Sequence, residues 1–288
     1  LISFIGAAMI ITKGKTGLEI FTANIGELLA LAGVITYSMY SVTLKKAALN
    51  LTPIFLTFTI AVAGLKMSAN KNTAIFILTH GRPDNVITYR TLRRQGYSGK
   101  IYLIVDDEDK TLSDYQKKYK DEVIVFSKKD YEGKFDLMDN FSNNRVIVYA
   151  RNACYDIARK LELDYFFEYE DDYTMFQFRY VKNKSLKGIT IKNLDAILEK
   201  LIACLNETKV DTIAFAQGGD FIGGALAFKN NTFKRKAMNS FVFKVNPNPK
   251  DDILFIGRMN DDVNTYLTQG KIGKLFFQIS NINLVQLQ

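Results

Sequence analysis

A chain of 288 residues that is 48% hydrophobic and 24% charged has apolar material for at least one sizeable core, which excludes a disordered tail. Two cysteines, Cys154 and Cys204, and one histidine, His80, argue against a disulfide framework, a structural zinc site or an imidazole metal centre, and they fit a reducing cytoplasm; a Ser-His-Asp triad would have to use His80. The formal charge of +8 suits a polyanionic partner such as nucleic acid or anionic lipid, and equally a protein that binds neither.

The hydrophobicity is uneven. Residues 1–12 are apolar, 13–17 form a basic turn, 21–44 are apolar apart from Glu27, and 51–65 make a further apolar run. The run at 21–44 is long enough to cross a bilayer as a helix and the one at 51–65 is marginal. Lys13, Lys15, Lys45 and Lys46 flank the longer run on both sides, so charge bias sets no orientation. Buried helices of a soluble domain are the alternative. With small residues in its helices and the basic pair Lys45-Lys46 after one of them, the stretch 17–64 resembles part of a drug/metabolite transporter of the EamA type. That resemblance implies two to three hydrophobic helices out of roughly ten, too few to enclose a transport site. From Met67 the sequence turns polar and then alternates. Two unrelated pieces joined near Met67 are therefore expected: a hydrophobic, transmembrane-like helical segment over 1–66, possible as a membrane partner, and a second domain over 67–288.

Short apolar runs alternate with amphipathic stretches from residue 73, the pattern of an α/β sheet flanked by helices. Strands are predicted at 74–78, 101–105, 123–126, 165–169, 212–215 and 224–228. Ile191, Leu194, Ile197, Leu198, Leu201 and Ile202 recur at helical spacing and predict a helix over 191–205, with Cys204 packed as a small apolar residue. Residues 145–161 predict a helix carrying Arg151 and Asn152. A further helix is predicted to start just after Asp261 and Asp262.

Polar residues gather where strands end, and ligands of open α/β sheets bind outside the carboxyl ends of strands. The first strand runs into Thr79-His80-Gly81-Arg82-Pro83 and the second into Asp106-Asp107-Glu108-Asp109. The aromatic run 165–169 ends in Glu170, Asp171 and Asp172, anionic oxygens of the kind a hard divalent cation needs. Each has a bland reading: tight turn, solvated acids, or for Asp261 and Asp262 a helix cap. The stretch 218–224, GGDFIGG, is too rich in glycine for a packed strand end and suggests backbone approaching a ligand, or a mobile lid.

In order, ILTHGRP, YARNACYDIA, FEYEDDY, GGDFIGG and RMNDDVNTYLTQGKIGKLFF resemble the TET-associated glycosyltransferases of phages and their relatives, over about residues 72–288. The resemblance implies a GT-A fold, that is, a Rossmann-like, mostly parallel mixed sheet flanked by helices. It also implies transfer of a sugar from a nucleotide-sugar to a hydroxymethylpyrimidine in DNA, in a host or phage-infected cytoplasm. Two departures stand out: Asp261 where the family commonly has Glu, and no counterpart here of the family's further C-terminal segment. On this resemblance Asp172, with Asp171 or Glu170, would hold Mg2+ or Mn2+ across the donor diphosphate. His80, Arg82, Asp106, Asp107, Arg151, Asn152 and Asp171 would bind the donor. Gly218, Gly219, Asp220 and Tyr173 would meet the acceptor, and Asp262 or Asp261 would be the general base. The alternatives are a glycan, lipid or protein acceptor, or a membrane-anchored inactive nucleotide-sugar binder.

Overall fold

The computed structural model describes residues 72–287 apart from 142, 231, 232 and 235. The predicted N-terminal helices and their transporter resemblance lie outside the described residues. Among the described residues no helix is long and apolar enough to cross a membrane.

The sequence TAIFIL forms β1 (Thr73–Leu78), an almost continuously apolar run because both of its faces are covered. Around it β2 (Lys100–Asp106), β3 (Val123–Phe126) and β4 (Tyr165–Glu170) pair in parallel, in the order β3-β2-β1-β4. Parallel neighbours require crossovers, here made with α1 (Ile87–Arg94), α2 (Leu112–Tyr119) and α3 (Val148–Lys160). The register sets Leu78 opposite both Ile104 and Glu170, so the turns that follow β1, β2 and β4 emerge at one edge of the sheet.

Beyond β4 the pairing changes character. The sheet continues through β9 (Phe241–Lys244), β7 (Thr212–Ala216), β10 (Phe276–Gln286), β5 (Tyr173–Lys182) and β6 (Ser185–Thr190), with β8 (Phe233–Lys234) beside β10. Only β7 and β10 are parallel neighbours in this half; the other pairs are antiparallel. The sheet is thus mixed, parallel on one side and largely antiparallel on the other, instead of mostly parallel. The flanking helices of this half are α4 (Leu194–Glu207), α5 (Gly224–Asn230) and α6 (Asp261–Lys271).

Five of the six predicted strands are present, with ends shifted by a residue at most. The sixth, 224–228, is α5: Gly223 and Gly224 take positive φ and turn the chain into a helix where an apolar run of five reads equally as a strand. The helix predicted over 191–205 starts three residues later, because the Asn193 side chain accepts the Ala196 N–H as an N-cap while Ile191 stays bonded to Phe176. Asn183 and Lys184 join β5 to β6, both at positive φ as in a type I′ hairpin turn.

The central core is aromatic. Phe166 is fully buried, its ring 5.3 Å from Phe76, 5.0 Å from Tyr155 and 5.2 Å from Phe243, so β1, α3, β4 and β9 converge on it. Cys154 lies in the same core, where burial pushes its thiol pKa up. Replacement Phe166→Ala is expected to lower the unfolding free energy by about 3–5 kcal/mol, read from urea unfolding followed by circular dichroism.

Candidate active site

Three turns meet at the shared strand edge. After β1, the Thr79 hydroxyl donates to Asp171 Oδ2 (2.6 Å) and lies 2.7 Å from the Tyr115 hydroxyl. Gly81, at φ +69°, reverses the chain so that its N–H donates to Asp109 Oδ2 (2.7 Å). Arg82 sets Nη2 2.8 Å from Asp171 Oδ1 and donates its backbone N–H to Tyr115. His80 Nδ1 stands 2.6 Å from Asp106 Oδ2. The HGRP turn, the acidic end of β2 and the turn after β4 are thereby joined, as the strand-end argument expected.

Beside them opens a cavity of about 260 Å³. Leu78, Ile104, Phe126 and Ile147 give it apolar walls, and His80, Arg82, Asp106, Lys128 and Arg145 give it a polar rim. Lys128 is buried, its Nζ 2.8 Å from Asp106 and 3.4 Å from Glu108. Asp107 points away from this cavity: it is exposed and accepts the Lys128 backbone N–H. Of the two acids expected to meet a ribose or base, Asp106 alone lines the space.

A second cluster surrounds Arg151. Alternate residues of a strand share a face, so Glu168 and Glu170 project together while Asp171 turns to the other side, toward Thr79 and Arg82. Arg151 reaches this face from α3, only 1% exposed, and its three nitrogens contact Glu168 Oε1 (2.7 Å), Glu170 Oε1 (2.8 Å) and Asp261 Oδ2 (2.6 Å). The guanidinium also lies 5.3 Å from the rings of both Phe241 and Phe255. This corrects its assignment to the donor diphosphate, because every face of the guanidinium is engaged within the protein. Asn152 is a correction of the same kind: its amide donates to the Phe255 carbonyl (3.0 Å) and accepts the Phe255 N–H (2.9 Å), which clasps α3 to the chain leading into α6.

Burial disfavours charge on Arg151, but Asp261, Glu168 and Glu170 more than offset it and hold its pKa up. The same burial pushes Glu168 from the ordinary 4.5 up to about 7 against the pull of Arg151. Glu170 is likewise raised to about 7 by burial, opposed by Arg151 and reinforced by Asp172, Asp261 and Asp262. Asp262 is raised by burial and then by Asp261, and Asp171 by burial against Thr79 and Arg82. Glu168, Glu170, Asp171, Asp172, Asp261 and Asp262 thus confront two guanidiniums, Arg82 and Arg151. Asp172 pairs with no cation among the described residues, and no group of three or more His, Cys, Asp or Glu side chains among them is arranged to hold a metal ion. Gln286 Nε2 lies 3.2 Å from Glu170 Oε2 and 3.5 Å from Asp172 Oδ1, so these two carboxylates face one another across a single amide.

Asp261 and Asp262 open α6, preceded by Asn260 in the left-handed region. Asp261 is bound to Arg151, whereas Asp262 is buried and accepts only the Val263 N–H among the described contacts. Gly218 and Gly219 lie exposed in a 3-10 turn, Gly218–Phe221, with open space above both. Asp220 is turned inward, to the Gln217 N–H (3.0 Å), Lys236 (2.5 Å) and Gln278. Tyr173 is fully buried and donates to the Asn239 carbonyl (2.6 Å), so it packs beneath the acidic turn and offers no stacking face. The sequence reading missed Thr88, whose hydroxyl donates to the Glu170 carbonyl (2.5 Å) and accepts the Tyr173 N–H (2.8 Å) while its own N–H donates to the Asp171 carbonyl (3.0 Å). It missed Lys128 and Arg145 as well. Nothing in the local sequence distinguishes any of the three from surface residues.

The sequence signature of the TET-associated glycosyltransferases matches residues 73–288. The chain belongs to that family. No curated protein matches the chain in sequence. Similar solved structures include Staphylococcus aureus TarS residues 1–349 (11% identity, TM-score 0.42, 74% of this chain and 60% of that one). Others are the Pyrobaculum calidifontis mannosyltransferase PcManGT with GDP-Man and Mn2+ (11%, 0.41, 85% and 67%) and the Mycobacterium tuberculosis glucosyl-3-phosphoglycerate synthase with Mn2+, UDP and phosphoglyceric acid (9%, 0.41, 80% and 74%). The chain spans less than two thirds of the TarS fragment.

The carboxylates around Arg151 give the fold a defined pH response. Glu168 and Glu170 have folded-state pKa values above the unfolded 4.5, so their contribution is fully present below about 4.5 and is lost as pH rises through about 7. Urea midpoints measured from pH 5 to 8 are expected to fall across this window, with a shallower fall in Glu168→Gln.

Proposed function

We propose that this glycosyltransferase is of the GT-A type and moves a sugar from a nucleotide-sugar to a hydroxymethyl group on a DNA pyrimidine, with a divalent cation at Asp172 and Glu170. The observation that supports the reading is the acidic turn after β4, rich in carboxylates short of cations, beside a cavity with apolar walls and a cationic rim. A nucleoside fits the apolar part of such a cavity, Asp106 accepts from a ribose hydroxyl or base N–H, and Arg82 supplies a cation at the phosphate side. Arg151 acts indirectly, holding Glu170 and Asp261 in place. Thr88 does the same for the backbone of the acidic turn. Mg2+ or Mn2+ bound by Asp172 and Glu170 would neutralise charge on the departing diphosphate.

The acceptor hydroxyl must lose its proton as the glycosidic bond forms, and that proton needs a carboxylate free of ion pairs. Asp262 meets the condition better than Asp261, whose Oδ2 is committed to Arg151. Its raised pKa makes it the stronger base of an ordinary aspartate kind. The segment over 67–288 is proposed to carry this activity as an independent domain, working in the cytoplasm.

Two substitutions test the reading. With Asp172→Asn, calorimetry is expected to show loss of the Mn2+-dependent part of nucleotide-sugar binding with thermal stability retained; unchanged Mn2+-dependent binding would remove the cation from this turn. With Asp262→Asn, turnover on hydroxymethylpyrimidine DNA should drop by roughly 100-fold or more at nearly unchanged donor affinity. Survival of turnover together with a lower melting temperature would make Asp262 a helix cap.

A further inference from the structure

The stretch 173–193, which begins one residue after Asp172, holds its basic residues without an acid among them. It carries Arg179, Lys182, Lys184, Lys187 and Lys192 and no aspartate or glutamate. These residues form β5, the type I′ turn and β6, a hairpin at the edge of the sheet where β6 is exposed along most of its length. Lys182, Lys184, Lys187 and Lys192 are exposed and enter no ion pair among the described residues. The acids that would balance them lie elsewhere, so the ribbon keeps a local positive field that the net charge of +8 understates.

The register shows what accompanies the cations. Phe178 faces Ile189 and Tyr180 faces Lys187 across the two strands, and Lys182 faces Ser185, which puts Phe178, Tyr180, Lys182, Lys187 and Ile189 on one face. Phe178 is 39% exposed and Ile189 56%. The Phe178 and Tyr180 rings stack at 6.4 Å and 20°. On the opposite face Arg179 lies over the Phe221 ring at 4.7 Å, so the ribbon abuts the glycine-rich turn Gly218–Phe221.

We infer that the β5–β6 hairpin is the docking surface for the backbone of a single-stranded nucleic acid, its lysines taking phosphates and the exposed Phe178–Tyr180 face taking bases. Cations interleaved with exposed aromatic rings are the combination that holds single strands without reading sequence. The ribbon is continuous in the chain with the acidic turn and touches the glycine-rich turn, so a polymer with one residue in the site has this surface beside it. An anionic bilayer would meet the same lysines, but the ribbon's exposed large apolar side chains are Phe178 and Ile189 alone, too little to seat in acyl chains. The inference rests on the DNA-acceptor reading, which it deepens by naming the element that holds the strand.

The test uses the full chain and an unmodified 20-nucleotide single-stranded DNA, so that binding is measured apart from transfer. Fluorescence anisotropy across a salt series gives the slope of log K against log salt for the wild type, for Lys182→Gln/Lys184→Gln/Lys187→Gln, and for a charge-matched control, Lys110→Gln/Lys117→Gln/Lys160→Gln. Each lost phosphate contact on a single strand reduces the slope by about 0.7, so the hairpin triple is expected to lower its magnitude by about 2 and the control to leave it unchanged. Thermal midpoints report whether either triple perturbs the fold, and Lys182→Gln/Lys184→Gln/Lys187→Arg, which keeps the cation at 187, should show a smaller loss than the hairpin triple. Equal slopes for the two triples, or no oligonucleotide binding by the wild type, would overturn the inference. So would lysine-dependent binding to phosphatidylserine vesicles with DNA binding unaltered. Sugar transfer to hydroxymethylpyrimidine DNA is assayed separately: transfer with unaltered slopes removes the ribbon and keeps the acceptor, whereas altered slopes without transfer keep the ribbon and remove the acceptor.

Discussion

One guanidinium holds the site together. Arg151 comes from α3, Glu168 and Glu170 from β4, and Asp261 from the start of α6, so a single buried cation joins three elements that are far apart in sequence. Without it three carboxylates would share a poorly solvated space, where burial already raises Glu168 and Glu170 to about 7. Its pairing leaves two acids of the neighbourhood, Asp172 and Asp262, outside any ion pair among the described residues. The chemistry proposed for this edge depends on that partition: committed acids build the wall, and the acids outside ion pairs are the ones proposed to meet a cation or a proton.

The surrounding contacts serve the same end. Thr88 anchors the turn after β4 from α1 through three hydrogen bonds, and Gln95, further along the same segment, clasps Phe176 through both its N–H and its carbonyl and reaches the Ile191 carbonyl. Thr79, Tyr115 and Arg82 tie the turn after β1 to Asp171. Each bond alone is worth about 1 kcal/mol, but together they leave the acidic turn little room to rearrange before a ligand arrives.

The parallel half of the sheet was legible because its strands read as short, largely apolar runs, TAIFIL, KIYLIVD, VIVF and YFFEYE, of which β1, β2 and β4 are buried along most of their length. The antiparallel half was not. In β5 and β6 exposed and half-buried residues alternate irregularly, and the turn between them is Asn183-Lys184 without the glycine that usually announces a type I′ hairpin. β10 mixes Gln278, Ser280, Asn281 and Asn283, all four buried, into its apolar residues. At the site, His80, Arg82, Asp106 and Asp171 could be brought together from the strand-end rule alone. Arg151 could not be told from a phosphate ligand, since one arginine beside three distant acids leaves no local trace of its burial. Lys128 escaped for the same reason.

The placement of β10 has a consequence for how the chain is made. This strand lies inside the sheet, between β7 and β5, although it follows them by about sixty and one hundred residues in sequence, and it covers the edges of both. During synthesis β3, β2, β1 and β4 can pair with one another as soon as they leave the ribosome, with β4 left open on its far side until β9 emerges. The hairpin made next has β6 on one side and nothing on the other until residues 276–286 emerge. For that interval the nascent protein carries two open strand edges next to exposed aromatic side chains. A cell producing it must either translate the final third quickly or shield those edges, a demand set by strand order and independent of the catalytic residues.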